Sequence, residues 1–310
     1  MLEYAFLPDA IAIFHITATG VGVVRVDVKP ERVRELGERF AESLQRHEDL
    51  QLIQRQAAAI HDLLIAPLSA VLGDSGNLVI IPDRELHNIP FAALYDARTQ
   101  RYVIERFSVS IAPSARGLIH KTAAQTLTPV LVVGDPHDEG APALGDAAAE
   151  ASSIAAMYES PTLLSGDRAT RVRFIAAAQR SGLIHYAGHA DSDLTNTFGT
   201  LHLASDGTRR FGDLDSTAIA EMNLHNAPLV ILAACGTMRG DPLHEEGMPS
   251  IARAFLAAGA KDVIGTLWEV DDDAVAPLFR GLHRELRNGS SAVKALQKAQ
   301  IACAHNPDPR

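Results

Sequence analysis

The feature that most constrains the fold is a series of short, mostly apolar segments that alternate with helical patterns from residue 129 onward. The strand-like segments are residues 130–133, 163–164, 183–187, 229–234 and 263–267, and the helical patterns are residues 147–157, 171–180, 249–258, 273–287 and 292–303. Because an all-apolar strand has two faces to bury, the sheet that contains it needs helices on both sides. The sequence therefore predicts an α/β fold with a mostly parallel sheet.

The first part of the chain has a different pattern. Residues 10–17 and 21–28 are apolar or alternating and rich in β-branched side chains, and the short segment between them predicts a β-hairpin. Pro30 then opens an amphipathic helix. A second amphipathic helix is predicted over residues 53–71, and Pro67 is expected to kink or interrupt it.

These two patterns predict two domains, residues 1–125 and residues 126–310. The polar segment 121–128, which precedes Pro129, is the predicted linker between them. Residues 78–81 add a short buried strand to the first domain.

Composition limits the possible functions. The chain has 28 Lys and Arg residues against 38 Asp and Glu residues, and its net charge of −10 argues against nucleic-acid binding, because phosphate contacts need clustered cations. Two cysteines cannot form a disulfide framework and indicate a reducing compartment. Glu3 and Asp9 stand where a signal peptide needs basic residues, and no apolar run approaches the ~18 residues of a membrane span. We therefore predict a soluble, cytoplasmic protein without a nucleic-acid or membrane partner.

Two predicted strands each deliver one reactive side chain where the strand ends. His189 follows residues 183–187 and Gly188, and Cys235 follows residues 229–234. In a parallel sheet, functional groups collect at the carboxyl ends of the strands. An imidazole next to a thiol promotes formation of the thiolate and later protonates the leaving amine. The separation of 46 residues also resembles the caspase spacing.

Simpler interpretations remain open for these residues. A cysteine after five apolar residues is often a buried core thiol, and a histidine at a strand end is often structural. His185 and His189 could share a strand face and bind a metal, but they lack a third ligand. Cys303 lies within a C-terminal helical pattern and is predicted to be a core residue. No cofactor or metal is predicted, and no role is assigned to the remaining candidate histidines, His15, His87, His202, His225, His244 and His283.

A set of short elements along nearly the whole chain resembles a known peptidase family. The elements are residues 78–83 (LVIIPD), 86–94 (LHNIPFAAL), 108–114 (SVSIAPS), 185–189 (HYAGH), 232–237 (LAACGT), 246–247 (EG), 253–260 (RAFLAAGA) and 267–272 (LWEVDD). In this order they resemble the CHAT domain, the caspase- and separase-like family of cysteine peptidases in clan CD. The resemblance implies a caspase-like three-layer fold with a degenerate N-terminal half and an active C-terminal half.

The same resemblance implies roles for individual residues. His189 corresponds to the catalytic base and Cys235 to the nucleophile, and the backbone N–H groups of Gly188 and Cys235 are the implied oxyanion donors. Ala233 and Ala190 depart from the residues that the family often has, Ser and Gly, but neither change removes a reacting atom.

The predicted function is a cysteine endopeptidase that cleaves a protein partner, acting as a regulated bacterial defence or signalling protease. Because the chain begins directly in the peptidase module, regulation is expected from an activating protein partner, a missing segment or self-assembly. One alternative is a catalytically silent CHAT scaffold or binding module. Another is a doubly wound nucleotide-binding protein, which the lack of a phosphate-binding loop disfavours.

Acidic residues near the end of residues 263–267 suggest a substrate pocket. Asp272 matches an acidic position of the separase-like pattern, and Asp271 and Glu246 are grouped with it as candidate substrate-binding residues. A carboxylate there would favour Arg or Lys before the scissile bond. The alternative is that these acids favour the start of the next helix. The polar loop 237–247 is predicted to become ordered only with substrate or activator.

Overall fold

The computed structural model describes residues 1–115, 126–137, 145–191, 199–207, 212–226, 228–234, 236–238, 250–268 and 272–305, without the side chains of residues 272–274. The described residues up to 115 belong to one compact unit and those from 126 onward to a second. Each unit has its own five-stranded sheet and its own hydrophobic core.

The first unit contains a mixed sheet. Its described elements are β1 (Leu2–Phe6), β2 (Ile11–Thr17), β3 (Gly20–Val26), α1 (Pro30–Gln45), α2 (Leu50–Leu64), β4 (Gly76–Ile81), β5 (Tyr95–Asp96), β6 (Arg101–Tyr102), α3 (Val103–Arg106) and β7 (Phe107–Ile111). The sheet order is β3-β2-β1-β4-β7, with antiparallel pairing among the first three strands and parallel pairing of β1, β4 and β7. The strands β5 and β6 form a separate antiparallel pair.

Local sequence explains the start of this unit. The register of β2 and β3 ends with Thr17 opposite Gly20, so a two-residue turn closes the predicted hairpin. Pro30 occupies the first turn of α1, where its missing N–H costs no hydrogen bond. The side chain of Asp49 accepts hydrogen bonds from two backbone N–H groups and caps α2. As predicted, the second helix is interrupted, because α2 ends at Leu64 and Pro67 lies in the 3₁₀ turn that follows.

The second unit contains a parallel sheet. Its described elements are β8 (Val130–Gly134), α4 (Gly145–Ala155), β9 (Thr162–Ser165), α5 (Arg171–Ala178), β10 (Leu183–Ala187), β11 (Ala190–Asp191), β12 (Thr200–Leu201), β13 (Leu214–Asp215), α6 (Ser216–Ala220), β14 (Leu229–Ala233), α7 (Ile251–Ala257), β15 (Asp262–Ile264), α8 (Asp272–Arg287) and α9 (Ala292–Ala304). The strands β15-β14-β10-β8-β9 lie in that order, and every pair in this sheet is parallel.

Both faces of this sheet are covered by helices. In β10, Ile184 and Tyr186 belong to one core cluster, which also contains residues of α5, α6 and α7. Leu183 and Ala187 belong to the cluster on the other face, with residues of α4, α8 and α9. The predicted parallel sheet with helices on both sides is therefore confirmed for this unit.

A small sheet that the apolar pattern did not predict follows β10. The two-residue strands β11, β12 and β13 pair antiparallel in that order. The side chain of Asp215 accepts a hydrogen bond from the backbone N–H of Ala218 and caps α6, the helix that follows.

Candidate active site

The two predicted reactive residues follow neighbouring strands. The strands β10 and β14 pair in parallel, with Ala187 opposite Ala233 in the register. His189 comes two residues after Ala187, and Cys235 comes two residues after Ala233. Parallel neighbours leave a sheet at the same edge, so both segments start from the carboxyl rim. Cys235 itself lies outside the described residues, whereas His189 is described and exposed.

Tyr186 holds the backbone of His189. This tyrosine is fully buried, and its hydroxyl donates to the carbonyl oxygens of His189 and His202 at 2.7 and 2.6 Å. Burial, followed by the charge of Asp213, raises the pKa of the Tyr186 phenol. The hydroxyl therefore remains a neutral donor, shared between two acceptors, across the whole range in which a peptidase works.

Gly188 is required by close packing. A Cβ atom at this position would lie 2.8 Å from Cδ of Pro136 and 3.0 Å from the hydroxyl oxygen of Tyr186. The N–H of Gly188 donates a long hydrogen bond of 3.4 Å to the carbonyl oxygen of Ala233. An oxyanion role for this N–H, which remains a prediction, would require it to exchange that partner for the substrate.

The backbone on both sides of Cys235 is held by the segment that follows β15. The hydroxyl of Thr266 donates to the carbonyl oxygen of Ala234 at 2.7 Å, and the N–H of Gly236 donates to the carbonyl oxygen of Trp268 at 3.3 Å. Gly236 has a φ of 61°, a left-handed conformation that favours glycine. The N–H of Met238 donates to the carbonyl oxygen of Thr266 at 2.8 Å. The backbone on either side of Cys235 is therefore hydrogen-bonded to the segment that follows β15.

The structure describes only some of the other predicted site residues. Glu246 and Asp271 lie outside the described residues, as does the part of the predicted polar loop 237–247 that follows Met238. Asp272 is the first residue of α8, a position where a carboxylate also stabilises the helix end. Thr237, the first residue of the predicted loop, is buried, and its hydroxyl accepts a hydrogen bond of 3.2 Å from the N–H of Thr266.

His185 does not join His189 in a metal site. It is buried at the centre of β10, with its Nε2 2.9 Å from a carboxylate oxygen of Glu150 and its Nδ1 3.2 Å from Nε2 of His283. The Nδ1 of His283 lies 2.8 Å from the hydroxyl of Tyr158. Burial, followed by the proximity of His185, lowers the pKa of His283 well below its usual value. In the part of the chain that is described, no cluster of three or more His, Cys, Asp or Glu residues could hold a metal ion.

Three sequence interpretations are corrected here. His202 and His283, to which no role was assigned, both take part in side-chain networks, because their partners lie in other strands and helices. Cys303 is exposed on α9 and does not belong to the core. Partial burial of its thiol nevertheless raises the pKa of Cys303.

Sequence reasoning missed Tyr186 and Thr266. Tyr186 lies in the HYAGH segment, and the hydroxyl at the end of its side chain, in a mostly apolar strand, is a signal that the sequence offers. Thr266 carried no local signal, since its partner lies 32 residues earlier in the chain.

No described helix has the length and apolarity needed to cross a membrane.

Comparison with known families shows which class of protein has this fold. A profile of the CHAT domain matches residues 54–310, so the chain belongs to the CHAT domain family, as the resemblance predicted. Two similar curated proteins are named Tetratricopeptide repeat protein 28, from Mus musculus and Homo sapiens. Each is 26% identical, over 297 and 296 residues respectively, which cover 78% of this chain. The chain spans about 12% of the length of these relatives.

A comparison with solved structures also finds similar chains. One of them is the crystal structure of the Saccharomyces cerevisiae separase–securin complex, with a TM-score of 0.45 and 17% sequence identity. The match covers 73% of this chain and 14% of that chain.

Proposed function

We propose that the protein is a cysteine endopeptidase of the caspase- and separase-like type, with His189 and Cys235 as its catalytic dyad. The observation that carries this proposal is the register of β10 and β14, in which Ala187 is paired with Ala233. The two residues that follow these strand ends at the same interval are the imidazole and the thiol that the chemistry needs. Membership of the CHAT domain family supports the assignment.

The proposed reaction proceeds through an acyl-enzyme. His189 accepts the proton of the Cys235 thiol, and the thiolate sulfur attacks the scissile carbonyl carbon. The C–N bond breaks, and the imidazolium of His189 gives its proton to the leaving amine. His189 then deprotonates a water molecule, whose oxygen attacks the thioester carbonyl carbon. The C–S bond breaks, the carboxylic acid product leaves, and the imidazolium of His189 returns its proton to the Cys235 thiolate. The N–H groups of Gly188 and Cys235 are the proposed oxyanion donors.

The pocket and the setting are also part of the proposal. Asp272, with Asp271 and Glu246, is proposed to bind a basic residue that precedes the scissile bond. The substrate is a protein partner, and an activating protein or self-assembly controls cleavage in the bacterial cytoplasm, in defence or signalling. We further propose that residues 1–125 form a degenerate caspase-like half that supports the catalytic half, residues 126–310.

A thiol-labelling experiment tests the dyad without knowledge of the substrate. In a Cys303→Ser background, which removes the exposed second thiol, iodoacetamide should alkylate Cys235 rapidly at pH 7. His189→Gln should slow this alkylation at least tenfold, whereas the exposed His225→Gln serves as the matched control and should not. Equal alkylation rates in the wild type and His189→Gln would refute the dyad.

A peptide library then tests the activity itself. The wild-type protein should cleave a subset of peptides, and Cys235→Ala should cleave none, since general acid–base and covalent catalysis contribute several orders of magnitude to the rate. A reactive Cys235 with no cleavage, even after addition of cell extract, would favour the silent scaffold.

A further inference from the structure

His202 lies between two carboxylates next to the proposed base. Its Nδ1 is 2.8 Å from an oxygen of Asp213, and its Nε2 is 2.9 Å from an oxygen of Asp191. Each carboxylate oxygen lies within hydrogen-bond distance of the ring nitrogen that faces it, so the ring is held from both sides. The ring of His202 is about one-third exposed.

The strand register places His202 directly beside His189. Ala190 is opposite Leu201 and Asp191 is opposite Thr200, and the continuation of this antiparallel pairing puts His189 opposite His202. A hydrogen bond of 3.1 Å from the N–H of His202 to the carbonyl oxygen of His189 closes this pair. Residues opposite each other in such a ladder are close neighbours, with Cβ atoms about 5 Å apart.

The small sheet depends on side chains for its order. The strands β11, β12 and β13 have two residues each, which is too short for strand pairing alone to be stable. The ring of His202, which follows β12, contacts Asp191 in β11 and Asp213 just before β13. One side chain therefore links all three strands at the level of His189.

Two other side chains hold the backbone around His189 and His202. The hydroxyl of Tyr186, in β10, donates to the carbonyl oxygens of both His189 and His202. The guanidinium of Arg171, in α5, donates to the backbone carbonyl oxygen of Asp213 at 2.8 Å. His189 is thus held through its backbone, and its side chain is exposed.

We propose that His202, fixed by Asp191 and Asp213, is a positioning residue for His189. This inference rests on the proposed function, in which His189 is the base, and concerns how the ring of that base is kept in its working orientation. His202 does not touch the reacting atoms. Its ring acts through the order that it gives to the three short strands, on which the backbone pair of His202 with His189 depends.

Histidine NMR tests the positioning without any catalysis. The ring Cε1–Hε1 signal of His189, assigned with His189→Gln, should be sharp and dispersed in the wild type. In His202→Ala it should move to the random-coil position and gain fast mobility, while the signal of the buried His185 stays unchanged. A His189 signal unaltered by His202→Ala would overturn the proposal whether or not the protein is a peptidase.

Variants of Asp213, one of the two carboxylates, separate positioning from charge. Asp213→Asn keeps an oxygen acceptor for Nδ1 of His202 and should retain the His189 signal, whereas Asp213→Ala should lose it. If the wild type cleaves peptides, His202→Ala should lower kcat about tenfold or more with KM changed less than twofold. A raised KM with unchanged kcat would overturn the proposal, because it would place His202 in the substrate site. The exposed His225→Ala is the control and should change neither quantity.

Discussion

Ala187 and Ala233 face each other in two adjacent parallel strands, and this pairing fixes where the chain leaves the sheet toward His189 and toward Cys235. The same relationship sets the environment of Gly188, whose N–H donates to the carbonyl oxygen of Ala233. The position of the proposed catalytic residues therefore depends on the register of these two strands.

Tyr186→Phe should slow the alkylation of Cys235 strongly and lower the stability of the fold moderately. It removes the hydroxyl that donates to the carbonyl oxygens of His189 and His202 but keeps the buried ring. We expect a loss of about 1–3 kcal/mol in the free energy of unfolding, because buried acceptors lose their donor, and at least a tenfold slower alkylation of Cys235. Chemical denaturation and iodoacetamide kinetics measure the two effects.

Tyr4→Phe is the matched control for this variant. Tyr4 is also buried, and its hydroxyl donates to the carbonyl oxygen of Leu64 at 2.9 Å, in the first unit. It should lower stability by a similar amount and leave alkylation of Cys235 unchanged. If both variants slowed alkylation equally, the role of Tyr186 at the site would be refuted.

Gly188→Ala should displace Tyr186. The new methyl group would lie 2.8 Å from Cδ of Pro136 and 3.0 Å from the Tyr186 hydroxyl oxygen, so one of them must move. We expect a destabilisation of about 1–3 kcal/mol, typical of overpacking, and slower alkylation of Cys235. Gly20→Ala, where no atom lies within 4 Å of the added methyl group, is the control for a plain glycine substitution.

Thr266→Val should disturb the turn that carries Cys235. The substitution keeps the shape of the side chain but removes the hydroxyl that donates to the carbonyl oxygen of Ala234 at 2.7 Å. We expect a loss of about 1 kcal/mol in the free energy of unfolding and a change in the pH dependence of Cys235 alkylation. Thr217→Val, in α6, provides a comparison away from the site. An unchanged alkylation profile in Thr266→Val would mean that the hydrogen bond does not shape the turn.

The buried pair of His185 and His283 should make stability depend on pH. Because the folded state lowers the pKa of His283 from the usual 6.5, the unfolded chain binds more protons in weakly acidic solution. The stability that comes from neutral His283 is therefore fully present above pH 6.5 and is lost as the pH falls below it. The loss approaches about 1.4 kcal/mol per pH unit for one proton.

Denaturation curves at pH 7.5 and pH 5.5 measure this loss. His283→Gln has no proton to gain, so its free energy of unfolding should fall less between the two pH values than that of the wild type. His225→Gln, at an exposed site, should follow the wild type. An equal fall in His283→Gln and the wild type would show that other groups cause the acid sensitivity.

Asp272→Ala tests the proposed pocket. If the Asp272 carboxylate pairs with a basic residue before the scissile bond, its removal should lower kcat/KM for Arg and Lys peptides at least tenfold and affect apolar peptides little. A peptide library gives the profile, with Asp262→Ala as a control for the loss of one charge elsewhere in the unit. Efficient cleavage after Asp, or a basic preference untouched by Asp272→Ala, would remove Asp272 from the pocket.

The sequence alone determined the main strands of the second unit and the helices that cover them. Residues 229–234 are apolar throughout, and residues 183–187 are mostly apolar, and a strand with that pattern is buried on both sides in a sheet. The position of Gly188 and His189 just after such a strand was equally readable, because it depends only on neighbours in the chain. The strand ends also suggested His189 and Cys235 as a pair, and the family motifs implied their roles as base and nucleophile.

Only the tertiary structure decided which side chains meet. His185 contacts His283, 98 residues later, and His202 lies between Asp191 and Asp213 because the short strands around it pair in one register. Strand order and register arise from the packing of the whole core, and no local pattern of apolar and polar residues specifies them. Hydrophobic periodicity therefore determined what is buried in this protein, whereas the long-range register determined which polar groups surround the proposed base.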